Sequence, residues 1–104
     1  MAQLKTIGDA ASKLVKRVIR HKDPLLAELV VNWGKMVGAK FVTTTYPLKT
    51  ISYKEGKVYK KLLVVNSSNS SLAMELSFQQ EIILERIAVY LGYKGVHKIQ
   101  VRTL

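Results

Sequence analysis

Residues 48–65 read LKTISYKEGKVYKKLLVV. Leu48 to Tyr53 and Val58 to Val65 are two runs rich in Ile, Val, Leu and Tyr, side chains that fit a pleated, half-buried surface. Between them Lys54-Glu55-Gly56-Lys57 supplies a short turn with its glycine. The stretch predicts a β-hairpin, and the period of the chain changes on both sides of it.

Upstream, Ile7, Ala10, Ala11, Leu14, Val15, Val18 and Ile19 recur at helical spacing. Thr6 with Asp9 three residues later fits a capping box. This helix should end near His21 or Lys22, because Pro24 disfavours helix at the residue before it. Asp23-Pro24 then opens a second helix: the carboxylate can accept a free backbone N–H, and proline at the first position lacks a donor that would be orphaned anyway. Leu25, Leu26, Leu29, Val30, Trp33 and Val37 form its apolar stripe, and Gly38 is a plausible stop. Gly34 sits inside the pattern at a cost of about 1 kcal/mol relative to alanine.

Downstream, Asn66-Ser67-Ser68-Asn69-Ser70-Ser71 reads as a junction. A helix follows from about Ser71. Ser77 with Gln80 makes another capping box, so a new helix is expected there. Ile82, Ile83, Ile87, Ala88, Tyr90 and Leu91 carry it, and Gly92 ends it. Val96, Ile99 and Val101 predict a last short strand. The expected order is α-α-β-β-α-α-β, a small α+β domain with a three-stranded sheet covered by helices.

The chain has 104 residues, enough for one domain with one real core, and 1–104 is read as a single unit. A hydrophobic fraction of 48% argues against disorder. With no cysteine there is no disulfide framework, thiol nucleophile or thiolate metal site. Lys13, Lys16 and Arg17 interrupt the N-terminal apolar pattern, which excludes a signal peptide, and no window offers about 20 consecutive apolar residues. The expected address is the cytoplasm.

Charge carries the functional information. Lys and Arg number 17 against 7 Asp and Glu, a net +10. Such an excess points to a polyanionic partner. Lys13, Lys16, Arg17 and Arg20 fall on one stripe of the first helix, opposite the apolar one, and His21 and Lys22 extend it. Residues 1–22 hold six Lys and Arg against one Asp, half of the net charge. A second cluster lies on the hairpin: Lys49, Lys54, Lys57, Lys60 and Lys61, relieved only by Glu55. Lys60 and Lys61 are expected to be its most exposed members. Tyr46, Tyr53 and Tyr59 are interleaved with it. Lysines meet phosphates as point charges, and tyrosine faces can stack on unpaired bases. A basic stripe is ordinarily just the solvated face of a helix. Here two such clusters occur, and nothing acidic balances the first. A membrane-surface helix fits less well, because the apolar stripe of the first helix has no Trp or Phe. For hairpin tyrosines, packing is the commoner role.

Enzyme chemistry finds little support. His21 and His97 lie in different predicted elements. Glu81 and Glu85 share a helix face without a third ligand, which is how an exposed face reads. The serines of 67–71 have no histidine or acid spaced near them and read as capping residues. Gly92-Tyr93-Lys94-Gly95 spells G-x-x-G with a lysine, as in the backbone-clamping loop of KH domains. There the loop joins two helices, whereas here it precedes a predicted strand, so a helix cap and turn is the better reading. No cofactor or metal is expected.

Leu29-x-x-x-Trp33-x-x-x-Val37-Gly38, then Tyr46-Pro47-Leu48, Gly56, Leu63-Val64-Val65, Asn66-Ser67-Ser68, Glu75-Leu76, Ile83 and Leu91-Gly92 resemble, in order and spacing, the bacterial DciA family. Its members are described as replicative-helicase operators or loaders. The resemblance covers about residues 23–103 and leaves 1–22 as a basic amphipathic helix ahead of it. It implies a KH-like α+β domain, DNA binding, and a partner in the DnaB-type replicative helicase. Trp33 matches the family's helix tryptophan, either as a core anchor or as a contact for that helicase. The family's histidine shortly before the proline is absent here, where Thr43-Thr44-Thr45-Tyr46 stands, and Leu72 or Met74 occupies the region of its usual third-helix aromatic.

The resulting expectation is a non-enzymatic protein that binds DNA, preferably single-stranded, and assists loading of the helicase. Lys13, Lys16, Arg17, Arg20 and Lys22 would meet phosphates, and the hairpin lysines would extend the track. An RNA-binding KH-like module, including a ribosome-associated one, would use the same cations. A pure protein adaptor would instead hold its partner through about 0.5 M salt, where phosphate contacts fail. Replacing Lys16, Arg17 and Arg20 together by alanine should weaken single-strand binding uniformly across sequences. It should flatten the dependence of log K on log salt by about 0.7 per lost contact. An unchanged slope in a salt titration removes these residues from the site.

Overall fold

A computed structural model of the chain describes residues 23–103. The helix expected over residues 6–22, with its cations, lies outside the described residues. The rest forms α1 (Pro24–Val31), α2 (Trp33–Val37), α3 (Ala39–Val42), β1 (Thr45–Glu55), β2 (Val58–Ser67), α4 (Ser70–Phe78), α5 (Gln80–Leu91) and β3 (Lys98–Thr103). This is an α+β fold in the expected order. Helix, strand, strand, helix, helix, strand is also the KH-like order that the resemblance implies.

The second expected helix is broken in two, and a third turn follows it. Asp23 caps α1 as its sequence predicts, Oδ1 accepting from Leu26 N–H at 3.0 Å with proline in the first turn. The break falls at Asn32, whose side-chain amide donates to Glu28 O at 3.1 Å and to Glu28 Oε2 at 3.3 Å. Local bonds of this kind compete with the helical ladder. Gly38, at φ +85°, ends α2, and the single turn α3 starts directly after it. Gly34 is required by this arrangement: a Cβ there would stand 3.0 Å from Val42 Cγ2, so the glycine lets α3 fold back onto α2.

The sheet order is β1-β2-β3, with β1 antiparallel and β3 parallel to the central β2. β1 starts at Thr45, three residues before the expected Leu48. Pro47 is tolerated because β1 is an edge strand and its register shifts between Pro47 and Lys49. β2 continues two residues past Val65, through buried Asn66 and Ser67. Parallel neighbours need a crossover, which α4 and α5 supply. Asn69 caps α4 by accepting from Leu72 N–H at 3.0 Å. The expected Ser77–Gln80 box does not form. Ser77 Oγ donates to Ala73 O at 3.1 Å, Gln80 Nε2 donates to Ser77 O at 3.2 Å, and α5 begins after Gln79 without a side-chain cap. Gly92, left-handed at φ +81°, closes α5 as expected.

One face of the sheet carries the core. Leu63, Val65 and Ile99 pack with Leu29, Met36, Phe41, Leu76, Ile83 and Ile87 from the helices. Each such fully buried chain gains about 1.5–3 kcal/mol over its exposed state. At the point where helix gives way to sheet, Trp33 Nε1 donates to Thr45 Oγ1 at 3.1 Å, and that hydroxyl donates to Phe41 O at 2.6 Å. Thr45 is buried, so its hydroxyl is the partner that α2's indole and α3's carbonyl share. Thr45→Val keeps the shape and strands both groups. It should cost about 1–3 kcal/mol in urea unfolding, whereas Thr45→Ser should cost much less.

Candidate nucleic-acid interface

Side chains alternate across a strand, and directly opposite residues share a face. Leu63, Val65 and Ile99 face the helices, so the residues between them face the other way. The rows on that outer face follow from the register: Lys49 opposite Val64 and Gln100; Ile51 opposite Leu62 and Lys98; Tyr53 opposite Lys60. Arg102, two residues beyond Gln100, is on the same face. Lys98 Nζ stands 5.3 Å from the Tyr53 ring centroid, which agrees with this placement. Three strands therefore bring Lys49, Lys60, Lys98 and Arg102 to one face around Ile51, Tyr53, Leu62 and the buried Val64; Lys98 and Arg102 are exposed there, and Lys49 and Lys60 are half-buried. Lys98 and Arg102 were not singled out from the sequence. The signal was there: Lys98, Gln100 and Arg102 alternate with Ile99 and Val101.

The five hairpin lysines do not form one track. Lys49 and Lys60 lie on the outer face, Lys54 and Lys61 on the other, and Lys57 in the turn. Lys60 and Lys61 are half-buried, while Lys54 and Lys57 are exposed, the reverse of the expected ranking. Lys60 is drawn back by Glu55, whose carboxylate it meets at 3.2 Å. That hydrogen bond, the Lys60 charge and then Lys98 hold the Glu55 carboxyl below its ordinary pKa. Lys61 is fixed through its backbone: its N–H donates to His97 Nδ1 at 3.1 Å, and its carbonyl accepts from His97 N–H at 2.9 Å. The five cations expected on the first helix lie outside the described residues.

The tyrosines divide. Tyr46 is half-buried, its hydroxyl accepting from Asn66 Nδ2 at 3.2 Å, and Tyr53 is half-buried under Lys98. Tyr59 is 73% exposed, and Lys54 Nζ stands 5.5 Å from its ring centroid. Trp33 is 4% exposed and belongs to the core, where Thr45 holds its indole. Gly92-Tyr93-Lys94-Gly95 is a packed turn leading from α5 to β3. A Cβ on Gly95 would stand 3.0 Å from both Leu91 Cδ1 and Tyr93 Cε2. The helix pair α4–α5 is joined at Gln79 instead. Among the described residues no group of three or more His, Asp or Glu could hold a metal, and no helix is long and apolar enough to cross a membrane.

The profile of the family described as Dna(CI) antecedent, DciA, matches residues 6–101. The chain belongs to the DciA family. It is also 38% identical, over 100 residues, to an uncharacterized protein of Rickettsia prowazekii (strain Madrid E), covering 94% of this chain and 91% of that one. Membership in DciA implies a part in loading the replicative helicase during DNA replication, in a family of loaders or operators that are typically not catalytic.

In this DciA chain His97 sits at the base of the hairpin. Burial, then the charges of Lys94 and Lys60, push the His97 pKa below its ordinary 6.5. An imidazolium cannot accept the Lys61 N–H bond, so the folded state favours the neutral ring. The unfolded chain therefore takes up the proton first. The contribution is full above about pH 6.5 and is lost as the pH falls from there through the lower folded value. Urea midpoints should drop between about pH 6.5 and pH 5 in the parent chain and stay flatter in His97→Gln. Equal slopes would show that this ring does not carry the dependence.

Proposed function

We propose that this protein binds DNA, preferably single-stranded, and engages the DnaB-type replicative helicase in the cytoplasm to assist its loading. Residues 1–104 act as one KH-like domain in this reading. Family membership supports the helicase part. The observation that carries the DNA part is the convergence of Lys49, Lys60, Lys98 and Arg102, from three strands, on the sheet face away from the helices.

The chemistry is that of backbone recognition. Lysines at strand spacing meet successive phosphates as point charges, and each contact releases condensed counterions. Lys57 in the turn lengthens the track, and Lys54 and Lys61 would add to it from the opposite face. Lys13, Lys16, Arg17, Arg20 and Lys22, which lie outside the described residues, would add phosphate contacts of their own. No base-reading fork of arginine is needed for a loader that must act on many sequences. Trp33 contributes from inside: it holds α2 in place, and a helicase would meet the surface that α2 supports.

The test is a pull-down with the host's DnaB-type helicase, after nuclease treatment and at near-physiological salt. A stoichiometric complex is expected. Lys98→Ala with Arg102→Ala should leave that complex intact while weakening DNA binding and flattening its salt slope by roughly 0.7 per contact on single strands. Absence of the complex, with DNA binding intact, would remove the helicase part. Stronger binding to RNA than to DNA of equal length would favour an RNA-binding module.

A further inference from the structure

The hairpin is longer than the domain needs. β3 pairs with β2 only from Leu62 onward, where Leu62 meets Lys98. From Val58 to Lys60 the ribbon has two strands and no third strand beside it among the described residues, and Val58 lies about 13 Å beyond Leu62. A two-stranded ribbon alone is marginally stable in water. This one is braced by Glu55 against Lys60 on one face and by Lys54 over the Tyr59 ring on the other. Its end nonetheless displays an aromatic ring, 73% exposed, beside Val58, 56% exposed. Packing explains Tyr46 and Tyr53. It does not explain Tyr59, which the register places on the helix-facing side of the sheet but beyond the helices.

We infer that Tyr59 at the hairpin end is a stacking platform for an unpaired nucleic-acid base, with Lys54 and Lys57 holding the flanking phosphates. This inference rests on the DNA-binding reading above and deepens it. The Lys54 ammonium stands over one face of the ring, within the range of a cation–π contact. The contact steadies a ring that is 73% exposed and so within reach of a flat partner. A base offers that partner, because every base has a π-face and stacking on a tyrosine needs no particular sequence. In continuous duplex both faces of each base are already stacked on neighbours. Only a single strand, an end, or a fork between paired and unpaired DNA can give a base to Tyr59. The hairpin thus supplies a preference that charge alone cannot, since phosphates are present on both forms.

The test measures anisotropy of fluorescein-labelled oligothymidylate and of a closed hairpin duplex, each titrated with the full chain. Tyr59→Ala should weaken oligothymidylate binding at least fivefold and duplex binding less than twofold. Tyr59→Phe should match the parent, because stacking does not use the hydroxyl. Tyr59→Leu, which keeps an apolar strand residue and a folded hairpin, should behave as alanine does. Lys54→Ala with Lys57→Ala should weaken both ligands and flatten both salt slopes. Equal losses on the two ligands, or none on oligothymidylate, would overturn the platform and leave the DNA-binding reading standing. A parent chain that binds neither ligand would overturn both.

Discussion

β2 is hydrogen-bonded along both edges, antiparallel to β1 and parallel to β3. That double pairing sets the rest of the structure. An antiparallel neighbour can be reached by a tight turn, so Gly56 at φ +64° is enough to return the chain. A parallel neighbour requires a crossover over one face of the sheet, and α4 and α5 make it. Once they cover that face, α1 and α2 complete the same layer through Leu29, Trp33 and Met36. The other face receives none of the described helices. Alternation then decides what each strand presents there, and in β3 it presents Lys98, Gln100 and Arg102.

The fold was largely legible because its strongest signals are local. The hairpin shows in its β-branched runs and its glycine, α1 in Asp23-Pro24, and the end of α5 in Gly92. The parts that were not legible depend on contacts distant in sequence. α3 is one turn, too short for a period to register. The break at Asn32 turns on a side-chain bond that competes with the helix, and the return of α3 onto α2 appears only when Gly34 is seen against Val42. Pro47 hides the first residues of β1, because whether proline is tolerated depends on which strand is the edge. Ser77 and Gln80 have the composition of a capping box but use their polar groups for backbone carbonyls of α4.

The candidate site was legible in kind and not in arrangement. The hairpin lysines are visible as a cluster in the sequence, yet the register splits them between two faces and a turn. Exposure also ran against expectation, because Glu55 retains Lys60 and the His97 pair pins the backbone of Lys61. Lys98 and Arg102 gained their place only from the parallel register with β2. A tertiary pairing between residues more than thirty positions apart leaves no mark in local composition.

The use of the acids explains why the positive charge remains available. Six of the seven carboxylates fall among the described residues, and four have structural tasks. Asp23 caps α1 and accepts from Thr50 Oγ1 at 3.1 Å, tying that helix to β1. Glu28 accepts from Asn32 at the α1 break. Glu75 pairs with Lys40, tying α4 to α3, and Glu55 steadies the hairpin through Lys60. These two ion pairs are the ones found among the described residues. Both are partly exposed, and exposed pairs add little stability. Folding therefore rests on the apolar layer and engages few of the cations. A protein that needed its lysines for stability would have matched them with acids. Here the repulsion among them is tolerated, and a polyanion laid along the sheet would relieve it.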